Sequence, residues 1–278
     1  MTRVLPMAEP DPKRVIVLAE PEALFLPDCV ARLAQLHPIA AIIEVPGPPL
    51  RRSLERGRRT FGLATLAAIV ASEVLARVVD RVSRDRFYSL RKIADRLAIP
   101  YERVSGLHAQ DCFDAIARHR PDVVVTQVSS LIRPELLQRG TFWNKHCALL
   151  PGYAGVFPVF WALLHRQEEL GVTIHEMDEE FDRGPILAQA AIPARAHTFF
   201  SGYHELFDLV APLVDAALRG QTQLVPVRTG IEPSYYSFPT PADRAAFRSR
   251  GLRFGVPFRL HPPIRLRRTE QQRDAVAA

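Results

Sequence analysis

Sulfur is scarce in this chain of 278 residues, which has three cysteines and three methionines. Cys29, Cys112 and Cys147 are odd in number, lie in apolar surroundings and show no metal-ligand spacing. That pattern excludes a disulfide-scaffolded secreted domain and points to reduced thiols and a cytoplasmic location. No apolar run reaches the roughly 20 residues that a bilayer crossing needs. The longest, Phe61 to Val79, is interrupted by Glu73 and Arg77, so no transmembrane segment is expected. It is expected to pack on the core as an amphipathic helix, with a membrane surface or a partner protein as the alternative. The opening residues MTRVLPMAEPDPKR hold no continuous apolar segment of a secretory signal, and residues 1–13 are expected to form a disordered lead.

What is present suits a soluble globular protein. Hydrophobic residues make up 47% of the chain, mean hydropathy is −0.02, and 36 basic residues against 30 acidic give a net charge of +6. A core of good size follows, in one large domain with at most a small appendix. The charge admits an anionic ligand without identifying nucleic acid, and a solvated basic surface explains it as well.

Apolar runs of strand length alternate with segments of helical spacing. Arg14–Ala19, Ile39–Val45 and Asp122–Thr126 read as buried strands, with helices expected over Glu22–Leu36, after a basic loop at RRSLERGRR to about Arg84, over Phe87–Ala98 and over Ala109–Arg118. A short strand is expected near Val104, and Phe199–Leu218 is expected as the helix that closes the main domain before Gly220. The fold class is therefore α/β: a mostly parallel, Rossmann-like sheet with helices on both faces, its ligand crevice at the carboxyl ends of the strands. The catalytic domain is expected over 14–225. Residues 226–278 are expected as a small C-terminal subdomain or arm, with a basic tail whose last ten residues are disordered. The first strand-to-helix turn, Ala19-Glu20-Pro21-Glu22-Ala23, has two acids and no glycine, which argues against a phosphate cradle there.

Chemistry concentrates between Trp143 and Leu187. A strand over Trp143–Leu149 places Asn144 and His146 on one face. A second strand, Gly171–Asp178, leads to a turn that carries Asp182. An amide donor, an imidazole and a carboxylate from separate segments suit acyl transfer to an amine, which needs donors for a developing oxyanion and a base for a developing ammonium. A Cys-His dyad is disfavoured because Cys147 lies on the opposite strand face from His146. His146, His175 and Asp182 could ligate a metal, but their spacing matches no common ligand pattern, so no metal is expected and His175 is placed beside the cleft as a packed or hydrogen-bonded group. Each residue also has a structural explanation: Asn-x-His as an ordinary strand pair, Asp182 as a turn residue before Gly184.

The order Asn144-x-His146, LLPGYAG, a Pro-Trp helix start at Pro158–Ala162, GVTIHEMD and Asp182-x-Gly184-Pro185-Ile186-Leu187 resembles the formyltransferase family that uses 10-formyltetrahydrofolate. The spacing of His146 and Asp182 is similar to the family's as well. The motif match runs from about Asp122 to Ile192, and the flanking order from Arg14 to Gly220 is compatible. The resemblance implies that Asn144 and His146 polarise the formyl oxygen and stabilise a tetrahedral intermediate. It implies that Asp182 sets the charge of His146 and assists proton removal from the amine. It further implies that the pterin of 10-formyltetrahydrofolate lies against Ser130-Leu131-Ile132 and Asp178-Glu179-Glu180, largely through backbone contacts. The chain departs from the family at Cys147-Ala148, where Pro-Ser is common, and at Ala154, where Arg is common.

Among acceptors, the family's purine-pathway members use a glycine-rich first turn that this chain lacks. Its methionyl-tRNA members carry a C-terminal barrel, for which the residues after Val225 are too few. A small-molecule amine is therefore expected, on a nucleotide-linked sugar or a natural-product intermediate, and nucleic acid is not the expected partner. A methionyl-tRNA enzyme lacking the barrel, a formyl-folate hydrolase, and a basic nucleic-acid-binding protein on a degenerate scaffold are the alternatives; the last would predict a damaged triad. A homodimer is admitted by the sequence and not decided by it.

Overall fold

The computed structural model describes residues 12–195, 197–221 and 230–266. The expected disordered lead up to residue 11, the last ten residues and the boundary at Val225 lie outside the described residues.

The chain begins β1 (Val15–Ala19), α1 (Leu26–Leu36), β2 (Ile39–Glu44), α2 (Leu50–Phe61), α3 (Leu63–Val82), α4 (Leu90–Leu97), β3 (Tyr101–Arg103), α5 (Gln110–His119) and β4 (Val123–Gln127). It continues α6 (Pro134–Leu137), β5 (Phe142–His146), β6 (Ala154–Gly155), α7 (Pro158–Leu164), β7 (Glu169–Glu176), β8 (Ile186–Pro193), α8 (Phe199–Leu218), β9 (Tyr235–Tyr236) and α9 (Pro241–Ser249). Seven strands form one sheet in the order β3-β2-β1-β4-β5-β7-β8. The first five run parallel, while β7 is antiparallel to β5 and β8 to β7. All five residues of β1 are buried, as a central strand covered on both faces requires. The strand over Ile186–Pro193 carries no strand signal in its sequence, because ILAQAAIP is poor in the β-branched and aromatic residues that mark strands and is held in place by its pairing with β7.

Two helices differ from expectation. The first begins at Leu26 and not at Glu22, since the Glu22 carboxylate accepts from the N–H groups of Leu24, Phe25 (3.0 Å) and Leu26 (2.7 Å) and so closes the helix start. The anion position at that helix terminus is filled by the chain's own carboxylate. The basic run expected as a loop is itself the helix α2, which forms a hairpin with α3 broken at Gly62. The expected packing on the core is found for one side of α3 only: Ala76 is buried with Ala23, Leu24 and Tyr88, and Ile69 and Val79 pack beside core residues, while Leu63, Val70, Val74, Leu75, Val78 and Val82 are exposed. Its apolar residues surround the helix without forming one stripe, so a single contact side cannot cover them. Among the described residues no helix is long and apolar enough to cross a membrane.

The described part of the C-terminal stretch is not a separate arm. β9 pairs with β6, and Phe247 of α9 is fully buried, stacked on Phe160 at 4.6 Å between ring centroids and on Phe254 at 5.2 Å. The carbonyls of Arg253 and Phe254 accept from the first N–H groups of α8, at 3.1 and 2.9 Å. Farther on, His261 packs under the first turn and reaches the Leu24 carbonyl at 2.9 Å. Nothing in the local sequence of 230–266 announces this, since the residues that bury it come from elements up to 237 positions away. Phe247→Ala is accordingly expected to cost about 3–5 kcal/mol, read by urea denaturation of the whole chain; a loss within about 0.5 kcal/mol, typical of surface positions, would mean that this segment does not hold the domain together.

His204 of α8 is 4% exposed and bonds the Pro257 carbonyl at 2.8 Å. Burial pushes its pKa from 6.5 down to about 4, and His261 is lowered for the same reason. The unfolded chain therefore takes up a proton near 6.5 that the folded chain refuses until about 4. Stability is full above that window and falls with pH inside it, His204 alone contributing about 3 kcal/mol across its width at about 1.4 kcal/mol per unit. Urea midpoints measured between pH 7.5 and 5 should fall, and His204→Gln should flatten the slope.

Candidate active site

The site is built where β5 ends and the sheet turns antiparallel. Register decides its composition: Asn144 of β5 lies opposite His175 of β7, and His146 opposite Thr173. Asn144 Nδ2 is 3.3 Å from His175 Nε2 and 3.4 Å from Asp182 Oδ1. Asp182 Oδ2 is 3.4 Å from His146 Nδ1 and accepts from the Gly155 N–H at 2.8 Å. His175 Nε2 stands 3.6 Å from Asp182 Oδ1. The structure thus brings together Asn144, His146 and Asp182, with His175 as a fourth member.

The loops are shaped to allow this. Asp182 has φ of 53°, a left-handed conformation that aspartate and asparagine tolerate better than other residues with a side chain. Gly155 has φ of 96°, and a Cβ there would lie 2.2 Å from the Tyr236 carbonyl oxygen. Only glycine lets its N–H reach Asp182 while β6 pairs with β9. A Cβ at Gly184 would lie 1.9 Å from the Glu176 carbonyl oxygen, so the turn that carries Asp182 can close against β7 only without a side chain.

Hydrogen bonding fixes the proton positions. His146 Nε2 is 2.8 Å from the Tyr153 carbonyl, which only accepts, so the Nε2–H donates there and Nδ1 is left toward Asp182. His175 Nδ1 donates to the Glu176 carbonyl at 3.0 Å, leaving Nε2 to accept from Asn144. Burial pushes the His146 pKa below its ordinary value, against the opposing pull of Asp182 and of the Tyr153 carbonyl. Burial would raise Asp182, but its contact with His175, the charge of His146 and the Gly155 N–H together hold it below the usual carboxylate range. At neutral pH the pair is a neutral imidazole beside a carboxylate. No group of side chains suited to a metal ion occurs among the described residues. Cys147 is buried and its thiol pKa is raised by that burial, which makes it a poor nucleophile.

These side chains open onto a cleft of about 610 Å³. Ser130, Leu131, Asp178 and Glu180 of the expected pterin loops line it. Ile132 does not: it is 1% exposed and packed in the cluster under β1 and β2, so only its backbone could take part. Glu179 is exposed and lies outside the lining. Arg56, Gln127, Phe181 and Phe238, none of them a sequence-predicted site residue, also line the cleft. Arg56 belongs to the basic run and Phe238 to a segment without a motif, while Gln127 and Phe181 lie beside the Asp122–Thr126 strand and Asp182 but carry no chemistry that marks them in the sequence. Exposed Leu131 and Phe181 offer apolar surface to a ring, and Gln127 Oε1 is a buried acceptor with no hydrogen-bond partner among the described residues. The cleft therefore fits a flat, donor-bearing heterocycle such as a pterin.

Residues 49–203, more than half of the chain, match the family described as formyl transferase. A methionyl-tRNA formyltransferase of Legionella pneumophila is 32% identical over 173 residues, covering 57% of this chain and 55% of that protein. The chain spans about half the length of the curated relatives it matches. Among solved structures, glycinamide ribonucleotide transformylase 1 from Symbiobacterium toebii superposes with a TM-score of 0.55 at 16% identity, over 84% of this chain and 98% of that one. A phosphoribosylglycinamide formyltransferase from Anaplasma phagocytophilum gives 0.54 at 17% identity, over 82% and 100%. At such identity these likenesses speak for the fold alone, and the sequence match speaks for the family: this chain belongs to the formyl transferase family.

Proposed function

We propose that this protein transfers the formyl group of 10-formyltetrahydrofolate to the amine of a small acceptor, carried by a nucleotide-linked sugar or a natural-product intermediate. The convergence of Asn144, His146 and Asp182 on one cleft supports this above all. In the proposed reaction the amine nitrogen bonds to the formyl carbon and the bond from that carbon to N10 of the folate breaks. The Asn144 amide, whose contacts to His175 and Asp182 are long at 3.3 and 3.4 Å, turns a donor to the oxygen as negative charge develops. His146 Nδ1 takes the amine proton, Asp182 stabilises the imidazolium that results, and the proton passes on to N10. His146 thus serves more as base than as oxyanion donor, because its Nε2–H is held by Tyr153.

Two observations favour the small acceptor. Tyr235, Ser237 and Phe238 form a wall of the cleft and leave room for a compact ligand. The Glu22 carboxylate occupies the α1 terminus, where an acceptor phosphate would otherwise be drawn. Incubation of the full chain with 10-formyltetrahydrofolate and a panel of amines, followed by mass spectrometry, is expected to yield a formamide on a sugar-linked amine. Formylation of charged initiator tRNA with none on any sugar amine would overturn the acceptor, and release of formate at an unchanged rate without any amine would overturn transfer itself.

A further inference from the structure

The geometry points to an anion-binding subsite for the acceptor on α2, made by Arg52, Arg56 and Arg59 and suited to the diphosphate of a nucleotide-linked amine. It rests on the acceptor class proposed above and names how that acceptor is held. The three arginines are spaced four and three residues apart and so share one helix face. They line a slot of about 420 Å³ whose opposite side is Phe238–Pro241. This slot adjoins the catalytic cleft, and Arg56 and Phe238 line both. A molecule whose amine reaches His146 can therefore extend toward Arg56 and Phe238 and place a charged group among the arginines.

Charge pairing supports the assignment. Many arginines of this protein pair with a carboxylate, among them Arg32, Arg91, Arg103, Arg118 and Arg259. Arg52, Arg56 and Arg59 have no carboxylate within 4.0 Å among the described residues, and Glu55, the acid lining the slot, is engaged by Arg51 at 3.1 Å. Three unpaired like charges on one helix face repel one another, a cost that a bound anion removes. Arg56 is half-buried, with its guanidinium over the Phe238 ring at 4.3 Å from the centroid. Stacking holds the planar fork in one orientation and leaves its N–H edge free, the arrangement that binds phosphate oxygens in pairs. A slot walled on its far side admits a compact diphosphate and obstructs the broad backbone of a duplex.

The test is calorimetric titration of the full chain with inorganic pyrophosphate and with UDP at low salt. Both are expected to bind, more weakly as salt rises. Arg56→Gln should weaken each by about 10-fold or more, the usual loss of a charge-assisted bond, and Arg52→Gln and Arg59→Gln should act in the same direction. Arg91→Gln, which removes an arginine paired with Asp95 on α4 and outside both clefts, should bind like the wild type. In turnover of a diphosphate-linked amine, Arg56→Gln should raise KM by a similar factor with kcat changed only a few-fold. Absence of pyrophosphate and UDP binding, or equal binding by wild type and Arg56→Gln at matched melting temperature, would overturn the subsite. Formyl transfer to uncharged amines with no competition by pyrophosphate would remove the subsite and keep the activity. Pyrophosphate binding lost in Arg56→Gln, in a protein that formylates no amine, would keep the subsite and remove the activity.

Discussion

Asp182→Asn is expected to melt within a few degrees of the wild type and to lose turnover by about 10²-fold or more, the range of general acid-base contributions. Two features keep the fold. The backbone at φ of 53° suits asparagine as well as aspartate, and the asparagine oxygen can still accept from the Gly155 N–H now bound at 2.8 Å. What is lost is the negative charge 3.4 Å from His146 Nδ1. Burial already disfavours the imidazolium, and Asp182 opposes that effect; without it His146 cannot hold the proton it takes from the amine. The wild-type rate should fall on the acid side below the ordinary imidazole range, as His146 becomes protonated, and the variant should have this limb displaced further toward acid. Thermal melts and a pH-rate profile measured together decide the matter. A variant that fails to fold would make Asp182 a structural turn residue, and one with an unchanged rate would remove it from the chemistry.

His146→Ala and Asn144→Ala should each reduce turnover by about 10²-fold or more while folate binding persists, since loss of one oxyanion donor or one positioned base has effects of that size. The two should differ in kind. His146→Ala removes the base and should abolish the acid limb of the profile. Asn144→Ala leaves that limb in place and lowers the plateau. Fluorescence titration with a folate analogue separates binding from chemistry, because the apolar surface offered to the ring comes from Leu131 and Phe181 and not from Asn144 or His146. Wild-type turnover in both variants would refute the assignment.

How much of this was legible beforehand depends on the range of the forces involved. β1, β2 and β4 are short, continuously apolar runs, and α8 carries a full apolar periodicity, so local pattern located them to within a residue or two. Asn144 and His146 are two apart on a strand, and their shared face follows from strand geometry alone. The hairpin break at Gly62, the exposed side of α3 and the strand made by ILAQAAIP were not legible, because they depend on what each segment meets.

The sequence by itself determined the α/β class, the family pattern and the chemical types in the site, since these rest on periodicity and on residue identity at short spacing. The tertiary structure alone decided that His175 faces Asn144, that Gly155 donates to Asp182, and that Ile132 is buried while Arg56 enters the cleft. It alone decided that residues 230–266 close over the domain through Phe247 and His261. The physical reason is that strand register, a backbone approach that admits no Cβ, and burial between segments far apart in the chain are properties of pairs of surfaces, and a single segment carries no record of its partner.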